Sequence, residues 1–301
     1  MLFGFGFLLL VPFVATIVLG ALLRVYWRAG IDRTNSVATA GAIVLLLVVA
    51  LAIVASPFLL CLTIAAPLWL VGALAGGFAS RWLVKQSGQV QLLLIVTLVA
   101  STAALLGIEC WKSYPTDEYV VVRAVVINAP ADRIWPHLLK LDDLGVHEGR
   151  WTFSQDVLGI PRPVEAIVRG DSVGAVRTGR WQRDIWFEEH ITRWQPQELL
   201  EWDFVFPKGS TFTRVDQHID PRGPNLVVET GGYQLTPLSN GSTRLELFTR
   251  YSASTAVNMY SSLWGELVLG DVQNNILAIV KQRTETSKPE PDGSPSLIAA
   301  N

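Results

Sequence analysis

The sequence predicts an α+β domain preceded by an all-α region of four transmembrane helices. Charged residues are sparse over residues 1–110, which carry a net charge of +3, whereas the rest of the chain carries −5. Residues 118–285 show a strand pattern, a short helical pattern, six further strand patterns and a long helical pattern. This order is typical of an antiparallel sheet that buries one face under a helix.

Four apolar stretches are each long enough to cross ~30 Å of hydrocarbon at ~1.5 Å per residue. The first, residues 2–23, is interpreted as a retained helix, because a cleavable signal peptide would have a basic start and this chain has none. Residues 37–79 divide at Pro57 into two spans, with Pro67 inside the second of them. Residues 90–108 form the fourth. Buried core helices are the alternative, but four runs without an amphipathic face favour a membrane.

The basic residues beside the spans predict their orientation. They lie between spans one and two and between spans three and four: Arg24, Arg28, Arg33, Arg81 and Lys85. The positive-inside bias puts these loops in the cytoplasm and the α+β domain on the extracytoplasmic side of a plasma or inner membrane. The spans are interpreted as an anchor. A stripe of small residues in the third span leaves a second interpretation open, a surface for a partner membrane protein: Gly72, Ala75, Gly76 and Ala79.

The elements of the α+β domain follow from local patterns. The first strand, residues 119–127, is rich in β-branched residues. In the short helix after it, Asn128 is the expected N-cap, Pro130 fits the first turn and Pro136 should kink or interrupt the helix. Residues 142–163 form a long connection of the kind that makes lids. Alternation and turn signals predict the remaining strands at residues 164–168, 174–181, 184–194, 199–206, 225–238 and 243–251.

The last element is a long helix at residues 255–284, the expected cover of the sheet. We expect Met259 and Leu263 to lie at the end of this helix that would border a ligand cavity under the cover, and Ile276 and Val280 to lie in the packed core. The chain therefore divides into a transmembrane region, a linker, a folded domain and a disordered tail: residues 1–110, 111–117, 118–285 and 286–301.

Three stretches of the folded domain carry a resemblance to a known family. The first is the strand end Ile127-Asn128-Ala129-Pro130 followed by Ile134-Trp135, the second is "ITRWQPQELLEW" at residues 191–202, and the third is "LWGELVLGDVQNNILAIVKQR" at residues 263–283. The first resembles the start of the START-like, or SRPBCC, superfamily, in particular its polyketide cyclase/dehydrase-type members. The second is similar to that superfamily's strand–Pro–strand hairpin, and the third is similar to its closing helix.

The resemblance implies a helix-grip fold, in which a curved antiparallel sheet wraps around a long C-terminal helix and leaves a deep cavity. Known members bind lipids, sterols, polyketides or other apolar molecules, and some are enzymes. The fold by itself does not choose among these roles.

Strand alternation decides which side chains can face such a cavity. Glu189 shares the apolar face of its strand with Phe187 and Ile191. A carboxylate among apolar neighbours has a raised pKa and suits acid–base chemistry. The alternative for Glu189 is a structural ion pair with Arg177 on the preceding strand.

The long connection contributes His147, Glu148 and Trp151 as candidate lid residues, although a solvated loop position is the alternative for His147. An acid–base set would consist of Glu189, His147 and Tyr251. The side chains expected to line an apolar pocket, each with a filled core as its alternative, are Trp151, Phe187, Glu189, Ile191, Trp202, Phe204, Tyr233, Leu247, Tyr251, Met259 and Leu263.

Composition and motifs narrow the functional classes. The acidic balance of the α+β domain argues against nucleic acid as a partner. Glu188 and His190 are too few ligands for a metal site, and the sequence contains no phosphate-binding loop that would predict a cofactor.

Three hypotheses about function remain. The first is a membrane-tethered protein that binds a lipid or other hydrophobic small molecule. The second is a cyclase, dehydratase or hydrolase acting on an apolar substrate, and the third is an interaction or sensor module in the lipid bilayer.

Overall fold

A computed structural model describes residues 6–28, 59–83, 85–109, 111–145, 148–207 and 220–286. Its N-terminal region contains a π-helical turn, Gly6–Leu10, and three helices: α1 (Val11–Arg28), α2 (Leu59–Leu83) and α3 (Gly88–Glu109). By length and composition, Thr63–Leu83 and Gly88–Glu109 could cross a membrane, and Gly6–Ala21 is a shorter apolar helix. The second predicted span lies outside the described residues. As expected, Pro67 is inside α2.

Helices α1 and α2 pack closely through glycine. A Cβ added at Gly72 would collide with the carbonyl oxygen of Leu9, and one added at Gly76 would collide with that of Phe13. The two helices therefore run parallel, and backbone meets backbone as in other small-residue helix pairs. Two members of the small-residue stripe, Gly72 and Gly76, are thus covered by α1, whereas Ala75 is exposed. The interpretation of the stripe as a surface for a partner protein stays a prediction.

The C-terminal region is an eight-stranded sheet of antiparallel pairs in the order β1-β8-β7-β6-β5-β4-β3-β2. One long helix, α6, packs against it, so the predicted α+β class and its helix-grip arrangement are confirmed. The strands are β1 (Asp117–Ile127), β2 (Lys140–Leu141), β3 (Pro163–Arg169), β4 (Val176–Trp181), β5 (Ile185–Gln195), β6 (Leu199–Val205), β7 (Leu226–Pro237) and β8 (Thr243–Ala253). The helices are α4 (Ala131–Leu139), α5 (Phe153–Asp156) and α6 (Asn258–Thr286).

The pleat of the strands sorts side chains as alternation predicts. On β5 the buried residues are Ile185, Phe187, Glu189 and Ile191, and on β8 they include Leu245, Leu247, Thr249 and Tyr251. The residues between them are exposed or partly exposed. Because the buried face is turned toward α6, the inward side chains of the sheet meet the helix.

The short helix α4 differs from its prediction in two details. Its N-cap is Pro130, which makes no side-chain cap hydrogen bond. Asn128 is not the cap, and its backbone N–H donates instead to Glu285 at 2.9 Å. Pro136 lies within the helix and does not end it, because the helix continues for three more residues, to Leu139. The missing N–H of Pro136 therefore removes one bond from a short element.

The start of α6 lies beside α2 and the linker. The Asn258 side-chain amide donates to the carbonyl oxygen of Pro115 and to Asp117, both at 2.9 Å. The Tyr260 hydroxyl donates to the carbonyl oxygen of Ile64, on α2, at 2.5 Å. We call this end of the sheet and helix the near end. The far end is where α4 packs on the second half of α6.

Candidate ligand-binding site

A cavity of about 290 Å³ lies between the sheet and α6. Its lining follows α6 from Ser261 to Ile279, a length of about 27 Å at 1.5 Å per residue. This volume is close to the lower limit of small-molecule sites, roughly 300 Å³. The cavity is therefore long and narrow, and most of its walls are apolar or aromatic side chains.

Aromatic rings form the wall toward the near end. The ring of Phe187 lies 5.9 Å from Trp181, 5.7 Å from Phe204 and 5.8 Å from Phe206, measured between centroids. Opposite Phe187 in the strand register is Gly179, where an added Cβ would clash with the Phe187 ring. Because Gly179 on β4 has no side chain, the space beside it is free for the aromatic rings of β5 and β6.

A buried ion pair lies halfway along the cavity. Arg177 on β4 and Glu189 on β5 are register partners, and their side chains are 4% and 5% exposed. The guanidinium lies over the rings of Trp202 and Tyr233, at 5.6 Å and 5.7 Å from their centroids. Burial raises the pKa of the Glu189 carboxyl, and the charge of Arg177 opposes that rise in pKa. The ion-pair interpretation of Glu189 is confirmed.

Three lining side chains carry a buried polar atom that has no hydrogen-bond partner among the described residues. They are Nε of Arg177, Nε1 of Trp202 and Oε1 of Gln273. The Gln273 amide nitrogen is already used, donating to Val121 at 3.1 Å and to Thr249 at 3.0 Å. An unpaired buried donor or acceptor costs roughly 1–3 kcal/mol. Two donors and one acceptor in one cavity are therefore candidates for contact with a ligand.

Most of the predicted pocket residues do line this cavity. They come from four strands that face α6: Phe187, Glu189, Trp202, Phe204, Tyr233, Leu247 and Tyr251. Ile191 is buried but belongs to the packed core. Ile276, expected in that core, is half-buried, packs against the core cluster and also lines the cavity.

Three other predicted residues lie outside the cavity. Trp151 is 65% exposed, and on α6 Met259 and Leu263 are 82% and 65% exposed. The cavity side of α6 instead presents Trp264, Gly265 and the residues one helical turn further on. Helical periodicity identifies an apolar stripe but does not say which of two apolar faces the sheet covers, and this is why the expectation for Met259 and Leu263 is corrected.

The proposed acid–base set is not assembled among the described residues. Glu189 is paired with Arg177. The Tyr251 hydroxyl donates to Ser262 at 3.5 Å, its ring stacks on Tyr119, and burial raises its pKa to about 12. His147 lies outside the described residues.

Three further side chains that the sequence singled out are also paired. Glu148 binds Arg283 of α6 at 2.7 Å. Glu188 and His190 contact each other at 2.8 Å, partly exposed to solvent. In the described part of the chain, no three His, Cys, Asp or Glu residues are grouped as for a metal ion.

Sequence reasoning placed Thr249 on the inward face of its strand but missed Gln273, Trp264 and Gly265 as lining residues. The one available signal was Gln273, a polar residue between Val272 and Ile276 on the apolar side of the last helix. Arg177 was considered only as a partner of Glu189, and its role in the cavity depends on the pairing of β4 with β5.

Comparisons with known proteins give structural likeness only. No protein-family model and no curated protein matches the chain. Similar solved structures include a truncated norcoclaurine synthase from Thalictrum flavum, with 13% identity over 56% of this chain and 97% of that one and a TM-score of 0.33.

Two further solved structures are comparable. The Zhui aromatase/cyclase from Streptomyces sp. R1128 has 13% identity over 56% and 94% of the two chains and a TM-score of 0.36. Protein Ms6760 from Mycobacterium smegmatis has 16% identity over 58% and 100%, with a TM-score of 0.32. At such scores the likeness carries no argument. The helix-grip architecture of this chain follows from its own strand order and closing helix.

Proposed function

We propose that this protein is a membrane-tethered binding protein for a lipid or another hydrophobic small molecule, held in the cavity between the sheet and α6. The observation that carries the proposal is an apolar cavity whose few polar groups include unpartnered ones. Apolar walls with a small number of placed polar groups are the usual character of small-molecule sites.

The polar groups indicate the chemistry of the ligand. Arg177 is already neutralised by Glu189, so a ligand that brings its own negative charge would compete with that carboxylate. The free donors of Arg177 and Trp202 instead suit a neutral oxygen acceptor, such as a carbonyl, ester or hydroxyl oxygen. The aromatic wall formed by Trp181, Phe187 and Phe204 suits the apolar body.

Two helices that are long and apolar enough to cross a membrane support the tether. The extracytoplasmic placement of the domain is part of the proposal and rests on the basic residues of the predicted loops. A cysteine introduced at the exposed Ser239, in a variant without Cys61 and Cys110, should react with an impermeant thiol reagent on intact cells. Labelling only after lysis would put the domain in the cytoplasm.

The binding proposal is tested on the full chain purified in detergent. A fatty acid bearing a photoreactive diazirine and an alkyne tag should cross-link to peptides of the cavity wall, and native mass spectrometry should detect a co-purified apolar molecule. Val268→Trp should block both, since Val268 lines the cavity. The adjacent Leu267→Trp is the matched control, because Leu267 is 37% exposed and outside the lining.

An empty wild-type protein that also fails to cross-link would contradict the binding function. An enzymatic function would instead require that a bound molecule be converted. The described residues do not favour this, because Glu189 and Tyr251 each have partners of their own. Recovery of two molecules related by loss of water or by ring closure would reopen it.

A further inference from the structure

One wall residue of the cavity does not belong to the α+β domain. Ile64 lies on α2, five residues after the first residue of that helix, and lines the cavity together with Thr255, Ser261 and Trp264 at the near end. The apolar helix α2 therefore closes one end of the ligand site. This end is also where the hydroxyl of Tyr260 donates to the Ile64 carbonyl oxygen.

The same end of the domain exposes apolar side chains. Met259, Leu263 and Leu267 are spaced by four residues on α6 and are 82%, 65% and 37% exposed. Side chains at this spacing share one face of a helix. We call these three residues the apolar stripe. In addition, Trp111, two residues after the end of α3, is 92% exposed.

A lipid surface is the occupant that fits this stripe. The stripe continues from Tyr260, which contacts α2, and the segment Thr63–Leu83 of α2 is apolar enough to cross a membrane. Ile64 is one residue into that segment, so the near end of the cavity lies at the depth where α2 would enter the bilayer. Exposed Trp and aliphatic side chains at this depth are typical of the membrane interface.

We propose that the apolar stripe rests in the interface of the bilayer and that the cavity exchanges its ligand directly with the lipid, through a mouth between Ile64 of α2 and Ser261 of α6. The proposal rests on the binding function proposed above and assigns its ligand to the molecules that dissolve in a bilayer. The Tyr260–Ile64 hydrogen bond holds the mouth closed. Exchange requires that α2 and the start of α6 separate at this bond.

The position of the stripe is tested by quenching. In a chain with Cys61 and Cys110 replaced by Ser, a bimane fluorophore is attached to Leu263→Cys and the protein is reconstituted in phosphatidylcholine vesicles containing brominated acyl chains. Bromine quenches only at short range, so a bimane at position 263 should be quenched at least about twofold more than one at Ser239→Cys, in the turn at the far end. Equal quenching at the two positions overturns the lipid contact.

The mouth is tested by the rate of ligand entry. The diazirine fatty acid is supplied in the vesicles, and cross-linking of the peptides around Trp202 is followed in time. Tyr260→Phe loses the hydrogen bond and should speed labelling by roughly threefold or more, whereas Ile64→Trp narrows the mouth and should slow it by a similar factor. Tyr114→Phe is the matched control, because the Tyr114 hydroxyl has no partner among the described residues.

The outcomes separate the two proposals. Wild-type labelling rates in both Tyr260→Phe and Ile64→Trp, with normal labelling in detergent, overturn the mouth but leave the binding function intact. Absence of cross-linking in detergent for the wild-type chain overturns the binding function, and the inference about the mouth falls with it. Opposite rate changes in the two variants, with Tyr114→Phe at the wild-type rate, support the mouth.

Discussion

The two halves of α6 face the same sheet but pack in different ways. In the far half, Leu277 and Val280 are 2% and 0% exposed and belong to one core cluster with Ile134 and Leu138 of α4. In the near half, Trp264 and Val268 border the cavity. The opposite face of this near half, which points away from the cavity, carries the exposed apolar stripe.

The difference comes from what covers each half. At the far end α4 adds a layer, and side chains of α4, α6 and the sheet form one core cluster, which the cavity reaches at Ile276 and Ile279. In the described part of the chain, the near end has the start of α2 beside α6, joined by the Tyr260–Ile64 hydrogen bond, and the short helix α5 contacts α6 further along, at Asp271. A long helix on a curved sheet therefore packs into a core where side chains of a further helix fill the space beside it, and it borders a cavity where that space is left open.

The largest expected effect is at the ion pair that lies between the two halves. Glu189→Gln leaves the guanidinium of Arg177 buried without its counter-charge, which should cost about 3–5 kcal/mol of unfolding free energy. The double variant Arg177→Met with Glu189→Leu removes both charges and should recover most of this loss, while weakening ligand binding. Urea unfolding of the full chain in detergent, followed by near-UV circular dichroism, measures the unfolding free energies of the single and the double variant. A loss below about 1 kcal/mol in Glu189→Gln would mean that water reaches the pair.

Two leucines of α6 compare the halves directly. Leu277→Ala should cost about 2–5 kcal/mol, because it opens a new void in a filled core. Leu269→Ala should cost clearly less, since Leu269 is half-buried and already borders open space. The same unfolding experiment measures both variants, and photo-cross-linking should change only in Leu269→Ala. Equal destabilisation with unchanged cross-linking would show that α6 packs solidly along its whole length.

A glycine in the near half should affect binding more than stability. A Cβ at Gly265 would collide with the Tyr251 hydroxyl and ring, pushing that side chain into the cavity. Alanine gains about 1 kcal/mol in helix propensity, which should offset much of the strain. Binding of the fatty acid, measured by competition cross-linking, should weaken by roughly fivefold, equivalent to about 1 kcal/mol. Gly107→Ala in α3, where nothing lies within 4 Å of the added atom, is the control. Equal binding in both variants would argue against Tyr251 as a wall of the site.

The smallest effect is expected at the partly exposed ion pair between Glu148 and Arg283, at the far end. Arg283 lowers the pKa of Glu148 through a hydrogen bond, so the folded-state pKa lies below the unfolded value of about 4.3. The ion pair therefore stabilises the fold above that unfolded pKa and is lost as the pH falls through the folded one. Glu148→Gln should lower the unfolding free energy by up to about 1 kcal/mol at pH 6, and by progressively less as the pH falls below the unfolded pKa. A difference that does not shrink as the pH falls would have a cause other than this ion pair.

Local patterns were sufficient for the longer elements and for the inward faces of the strands, but they missed the two shortest elements, β2 and α5. The alternation of Phe187, Glu189 and Ile191 needs only the pleat, and the prediction that they share a buried face is confirmed. The same holds for Leu245 and Leu247 on β8. The bounds of the strands and of α6 fall within a few residues of those predicted, because each element carries its own period.

Contacts between elements were beyond these patterns. The sequence alone determined the α+β order, the apolar helices and which side of each strand turns inward, since these depend on neighbours along the chain. Only the tertiary structure decided that Arg177 is the partner of Glu189, that Gly72 and Gly76 are covered by α1, and that Trp264 rather than Leu263 faces the cavity. Each of these depends on how one element is rotated and positioned against another, and the periodicity of a single helix or strand leaves that rotation undetermined.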